Sequence, residues 1–205
     1  MSIVATLEKP EEVELVQPWR VSREDFYRIA DLGVFGENRA EWLDGEIYVS
    51  PPPGNDHSNR TDDLNMLLIR RLGDVYRVRN GSGFVTPRAE LAPDFSLIPL
   101  SEFDRSQLPR TATVAIEVSR STLSYDRDTK SVHYAEAGVE QYWILDIVGL
   151  RVIAFESPVP EEGAYRIRRV LTEGETLTVP GVNVTFTVQE LLGEEAKMGG
   201  VNRGT

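Results

Sequence analysis

With 205 residues, 40% of them hydrophobic and 27% charged, the chain can bury one well-formed core and not two. It has no cysteine, which excludes disulfides, a thiolate zinc site and a cysteine nucleophile, and its two histidines lie too far apart for a zinc site of the usual spacing. The net charge of -11 argues against nucleic-acid binding by the chain as a whole, because phosphate contacts need clustered Lys and Arg.

The charge is unevenly spread. Residues 1–56 carry five basic and twelve acidic side chains, residues 57–130 eleven and ten, and residues 131–205 six and eleven. The middle stretch is therefore the one part where a phosphate backbone meets no net repulsion. The longest apolar runs, TVAIEV and YWILDIV, fall short of the roughly 20 residues a spanning helix needs. No cleavage-site pattern follows the weakly apolar MSIVATL. The expectation is a cytoplasmic protein with no membrane partner.

Residues 1–18 show no sustained period and read as a flexible arm, and residues 19–193 as one domain. Ser22 is an N-cap candidate for a short helix reaching about Leu32. AEWLDGEIYVS places Asp44-Gly45 between two apolar-rich runs, a strong hairpin signal, and Pro51 to Gly54 then end the sheet. From about Asp56 to Leu72 the positions Leu64, Leu67, Leu68, Ile69 and Leu72 follow a helical period. DVYRVRNG and FVTPRAE read as a strand pair around Gly81 and Gly83, followed by the short strands PDFSLIPL and TVAIEVS. RDTKSVHYAEAG reads as a helix stopped by Gly138, and QYWILDI as a buried strand. LRVIAFE, AYRIRRVL and the stretch from Leu177 to Phe186 add antiparallel strands, and residues 194–205 form a disordered tail. The fold class expected is α+β, a mixed sheet flanked by helices with extra antiparallel strands at the C-terminal side.

Side chains alternate faces along a strand. In TVAIEVS, Val114, Ile116 and Val118 form one face and Thr113, Ala115, Glu117 and Ser119 the other. In PDFSLI, Asp94, Ser96 and Ile98 lie opposite Phe95 and Leu97. If these strands are neighbours, Asp94 and Glu117 converge. Two carboxylates in such apolar surroundings repel and are costly to desolvate, and a divalent cation resolves both problems. With no thiolate available, that cation is a hard, oxygen-ligated one, Mg²⁺ or Mn²⁺.

PDFSLI, AIEVS and STLSYDRDTKSVHYAEAGVEQYWILD, with AEWLDGEIYVSPPPGNDHSN upstream, resemble in order and spacing the Uma-type restriction endonucleases, a bacterial branch of the PD-(D/E)XK nuclease superfamily. The resemblance covers roughly residues 22–155. It implies a restriction-endonuclease-like core of the order helix, three strands, helix, strand, and Mg²⁺-dependent hydrolysis of phosphodiester bonds. It also implies metal-binding acids at Asp94 and Glu117, with Glu41 joining them. One departure stands out: the superfamily lysine two residues after the glutamate is Ser119 here. Lys130, on the following helix, is the candidate replacement, since its long stem can carry a point charge back to the site.

Several further groups carry weaker signals. His57 precedes the arginine-bearing helix, and Arg120 and Arg127 lie near the acids; all three are candidate nucleic-acid contacts, with capping or solvated roles as their bland alternatives. Asp126 and Asp128 read as helix caps, and Tyr134, Tyr142 and Trp143 as core. The expected partner is nucleic acid, DNA before RNA, and a homodimer would supply the two centres that double-strand cutting needs. The competing expectation, motivated by Ser119, is a catalytically inactive nuclease fold serving as a partner-binding scaffold.

Overall fold

The structure, a computed structural model, describes residues 18–193. The arm expected over residues 1–18 therefore lies, apart from Pro18, outside the described residues, as does the tail expected over 194–205.

Ser22 caps helix α1 (Arg23–Asp31), its hydroxyl accepting from the Asp25 amide. Strands β1 (Arg39–Leu43) and β2 (Glu46–Ser50) pair through Asp44 and Gly45. Both turn residues have positive φ, 51° and 85°, the geometry that matches the twist of a two-residue hairpin. Helix α2 (Asn55–Leu72) follows and buries Leu64, Leu68 and Leu72 on one stripe.

The chain next forms β3 (Tyr76–Asn80), β4 (Phe84–Val85), β5 (Ala89–Leu91), β6 (Phe95–Pro99) and β7 (Val114–Ser119). A helical segment comes next in three pieces: α3 (Leu123–Tyr125), a π turn (Asp126–Lys130) and α4 (Ser131–Glu136). Strands β8 (Gln141–Asp146), β9 (Arg151–Val159), β10 (Ala164–Leu171), β11 (Thr176–Thr178) and β12 (Thr185–Thr187) lead to α5 (Val188–Leu192).

The main sheet has the order β10-β9-β8-β7-β6-β3 and is antiparallel except between β7 and β8, which the helical segment joins as a parallel crossover. Its two faces are both covered. On one, Phe95, Leu97, Val114, Ile116, Val118 and Trp143 pack against α2 and α5. On the other, Ile98, Ala115, Ile144 and Ile153 pack with Tyr134 and Tyr142 and with Leu43, Phe84 and Leu91 of a second, four-stranded sheet of order β2-β1-β5-β4. All six residues of β7 are buried, so any charge on that strand must find its partners inside the protein. This is the expected mixed sheet with helices on its faces, with β9 to β12 as the additional antiparallel strands. Among the described residues no helix is long and apolar enough to cross a membrane.

Three local expectations need correction. The segments 76–80 and 84–85 do not pair with each other. β3 pairs with β6, and β4 with β5, because Gly81 at φ 53° turns the chain from one sheet to the other while Tyr76 and Val78 stay with the α2 core. The helix expected to begin near Arg127 starts at Leu123 and is interrupted by the π turn. Residues 188–192, not singled out from the sequence, form a short helix fixed by a reciprocal Thr187/Glu190 capping box.

Candidate active site

Four buried carboxylates line one cleft of about 310 Å³: Glu41 from β1, Asp94 just before β6, Glu117 from β7 and Asp126 from the π turn. Each arrives by a local rule. Alternation along β1 turns Glu41 and Leu43 inward together. The β6/β7 register sets Phe95 opposite Ile116, so Asp94 falls beside Glu117 and accepts a 2.7 Å hydrogen bond from the Val118 amide.

Lys130 sits among these acids. Its Nζ lies 3.0 Å from Glu117 Oε1, 3.1 Å from Glu41 Oε1 and 3.6 Å from Asp126 Oδ1. Burial alone would strip its proton, but Glu117, Glu41 and Asp126 outweigh that effect and hold the ammonium well above the ordinary lysine value. Ser119, where the usual lysine would stand, is buried and faces Thr122 Oγ1 at 3.5 Å. The π turn is what aims Lys130: a wider turn inserted between two α-helical pieces changes the side-chain direction that an unbroken helix would impose.

The remaining donors fix the carboxylates in place. Tyr134 donates to Glu117 Oε1 at 3.0 Å, Tyr125 to Glu41 Oε2 at 3.2 Å, and the Ala92 amide to Glu41 Oε1 at 3.0 Å. Arg39 reaches Asp94 Oδ1 at 3.3 Å and also donates to the Ala92 carbonyl. His57 Nε2 stands 3.3 Å from Asp94 Oδ2, and its Nδ1 is buried with no hydrogen-bond partner among the described residues. Thr122 donates to Asp126 at 2.7 Å.

The electrostatics divide the acids. Burial works against ionisation of Asp94, yet His57, Arg39 and the Val118 amide hold its carboxyl below the usual range. Glu117 is pushed up to about 8, chiefly by burial, with Asp94, Asp126 and Glu41 adding repulsion that Lys130 only partly offsets. Four carboxylates thus share the cleft with three permanent cations, Lys130, Arg39 and Arg120, and one imidazole. An all-oxygen donor set of carboxylates gathered in one cleft fits a hard divalent cation. Among the described residues no three His, Asp or Glu side chains stand together as a ready-made cage.

Of the residues singled out from the sequence, Asp94, Glu117, Glu41, Lys130, His57 and Arg120 all line this cleft. Arg127 does not; it turns to Asp128 in a two-pronged pair of 2.5 and 2.7 Å. Sequence reasoning passed over Arg39, Tyr125 and Tyr134, and read Asp126 as a cap. Two signals were there to find. Arg39 and Glu41 are two apart on one strand, and Asp126, Lys130 and Tyr134 recur every fourth residue of a helical stretch.

The mixed sheet with its parallel crossover is a fold of the restriction-endonuclease-like class. More narrowly, residues 23–189 match the Uma2 family model, described as "Putative restriction endonuclease", and the chain belongs to that family. No curated protein matches it in sequence. Among solved structures it resembles a "putative nuclease belonging to DUF820" from Anabaena variabilis, at a TM-score of 0.63 and 17% identity, over 75% of this chain and 89% of that one; this likeness concerns the fold. The type IIG restriction endonuclease BpuSI aligns at a TM-score of 0.39 and 14% identity, over 70% of this chain and 15% of its own length.

Proposed function

We propose that the protein is a Mg²⁺-dependent endonuclease that hydrolyses phosphodiester bonds in nucleic acid, with DNA the expected substrate. The observation that carries this reading is Lys130 Nζ within 3.0–3.1 Å of both Glu117 and Glu41, which supplies from a helix the cation that Ser119 cannot.

Asp94, Glu117 and Glu41 are the residues that would hold the metal. A divalent cation there neutralises charge on the scissile phosphate and makes water a better nucleophile at neutral pH. The chain's own groups do the rest. Lys130, kept protonated by its acidic neighbours, orients the attacking water and donates to a phosphate oxygen. Tyr134 and Tyr125 fix Glu117 and Glu41, and Arg39 holds Asp94 ionised. His57 and Arg120, at the cleft wall, are the nearest contacts for the flanking phosphates. Cutting both strands of a duplex needs two such clefts, so a homodimer is the expected working form on double-stranded DNA.

Plasmid and single-stranded DNA incubated with the wild type and either Mg²⁺ or Mn²⁺ should be cut. Asp94→Asn should lower the rate by on the order of 10²–10⁴-fold or more, the scale of a positioned catalytic group. Equal cutting by both proteins would remove the assignment.

A further inference from the structure

β3 is an edge strand of the main sheet, and just past its end the Gly81 amide donates to the carbonyl of the cleft residue Asp94 at 3.0 Å. Its register sets Arg79 opposite Ser96 and Arg77 opposite Ile98. Both arginines therefore lie on the sheet face that Ser96 and Ile98 share, by alternation, with Asp94. Receding from the cleft along β3, Arg79 comes first and Arg77 second, roughly 6.8 Å further on. Phosphates of one strand advance about 3.4 Å each along a duplex axis, so the two guanidiniums span a short run of backbone.

Their surroundings differ from those of many arginines here. Arg23, Arg39, Arg71, Arg88, Arg127, Arg151 and Arg169 each face a carboxylate. Among the described residues Arg77 and Arg79 form no ion pair. They lie instead over the ring of Phe103, at 5.4 and 6.0 Å from its centroid, and Arg79 Nε is buried with no hydrogen-bond partner among the described residues. Arg166 and Arg168 on β10 likewise form no ion pair among the described residues, so what marks Arg77 and Arg79 is the single ring they share and their place on the sheet face of Asp94. Burial and the charge of Arg77 both hold the Arg79 guanidinium below its usual value, a repulsion that a bound anion would relieve. Stacking on an aromatic ring braces a guanidinium while leaving its donors unspent.

We propose that Arg77 and Arg79, braced on Phe103, bind the phosphodiester backbone of a nucleic-acid strand and lead it along β3 into the carboxylate cleft. This rests on the nuclease reading above and adds the path of the substrate.

The test is fluorescence anisotropy of labelled duplex and single-stranded DNA with the full chain in EDTA, which silences cleavage, across a salt series. R77A/R79A is expected to bind roughly tenfold or more weakly at low salt. Its slope of log affinity against log salt should flatten by about 1.8 for the duplex and 1.4 for the single strand, one phosphate per arginine. R77K/R79K, which keeps both charges, should retain most of the wild-type slope, and R166A/R168A, an equal loss of charge on the opposite edge strand β10, should leave it unchanged. Thermal melting accompanies each variant. If the double alanine variant does not fold, R77E alone serves, since Arg77 is exposed, and it should weaken binding with a flatter slope. Wild-type slope in R77A/R79A, or an equal loss in R166A/R168A, overturns the proposal while leaving the nuclease reading intact. A wild type that binds neither DNA in EDTA overturns the proposal and leaves the Mg²⁺-dependent nuclease reading to its own cleavage test.

Discussion

Lys130 is charged, buried and wedged between Glu41 and Glu117, so its removal has two separable consequences. Lys130→Met leaves two carboxylates without their cation, and thermal or urea unfolding should show a loss of about 3–5 kcal/mol. Metal-dependent cleavage should fall by on the order of 10²-fold or more even at temperatures where the variant remains folded. Glu117 supplies a pH signature. With its carboxyl at about 8 in the folded chain against an ordinary 4.5, the folded state retains a proton there that the unfolded state has released between those values. This contribution to stability is full below 4.5, declines as pH rises and is gone above about 8. Glu117→Gln should flatten that part of the stability profile; an unchanged slope between pH 4.5 and 8 would show that Glu117 is ionised throughout. Both acids and the lysine were legible from strand alternation, from Ser119 standing where a lysine belongs, and from the family resemblance. Arg39 and the tyrosines were not singled out, because an arginine or tyrosine beside an acid looks the same in sequence whether it faces solvent or a buried carboxylate.

At the scale of elements, the hairpin and the π turn do the positioning. Asp44-Gly45 marked the hairpin because few residues tolerate two successive positive φ values, and the hairpin sets the register that turns Glu41 inward. A Cβ at Gly45 would lie 2.8 Å from Arg20 Cβ as well as on a strained backbone. Gly45→Ala should therefore cost about 1–3 kcal/mol by denaturant unfolding and lower cleavage through displacement of Glu41. A variant as stable as wild type would mean that the turn relaxes freely. The π turn was invisible in the sequence, since DRDTK has no composition that separates it from an α-helical turn. Strand pairing was equally hidden: β3 to β6 and β4 to β5 are chosen by which core buries Tyr76 and Phe84, a decision made far from either strand.

For the whole molecule, the proposed nucleic-acid substrate has to meet an acidic chain at one cleft. The main sheet is buried on both faces, and its edge, with β1 and the π turn, gathers four carboxylates, a lysine and two arginines in one cleft. The fold class was legible because helix and strand periods are local and their order is diagnostic of the mixed sheet. The full acid set of the cleft was not, because it depends on Asp126 and Glu41 arriving from other elements. The most direct test of a metal-dependent centre is anomalous diffraction from crystals of the protein soaked in Mn²⁺. The account predicts one peak within coordination distance of both Asp94 and Glu117; crystals with no peak there, or with manganese only elsewhere on the surface, would contradict it.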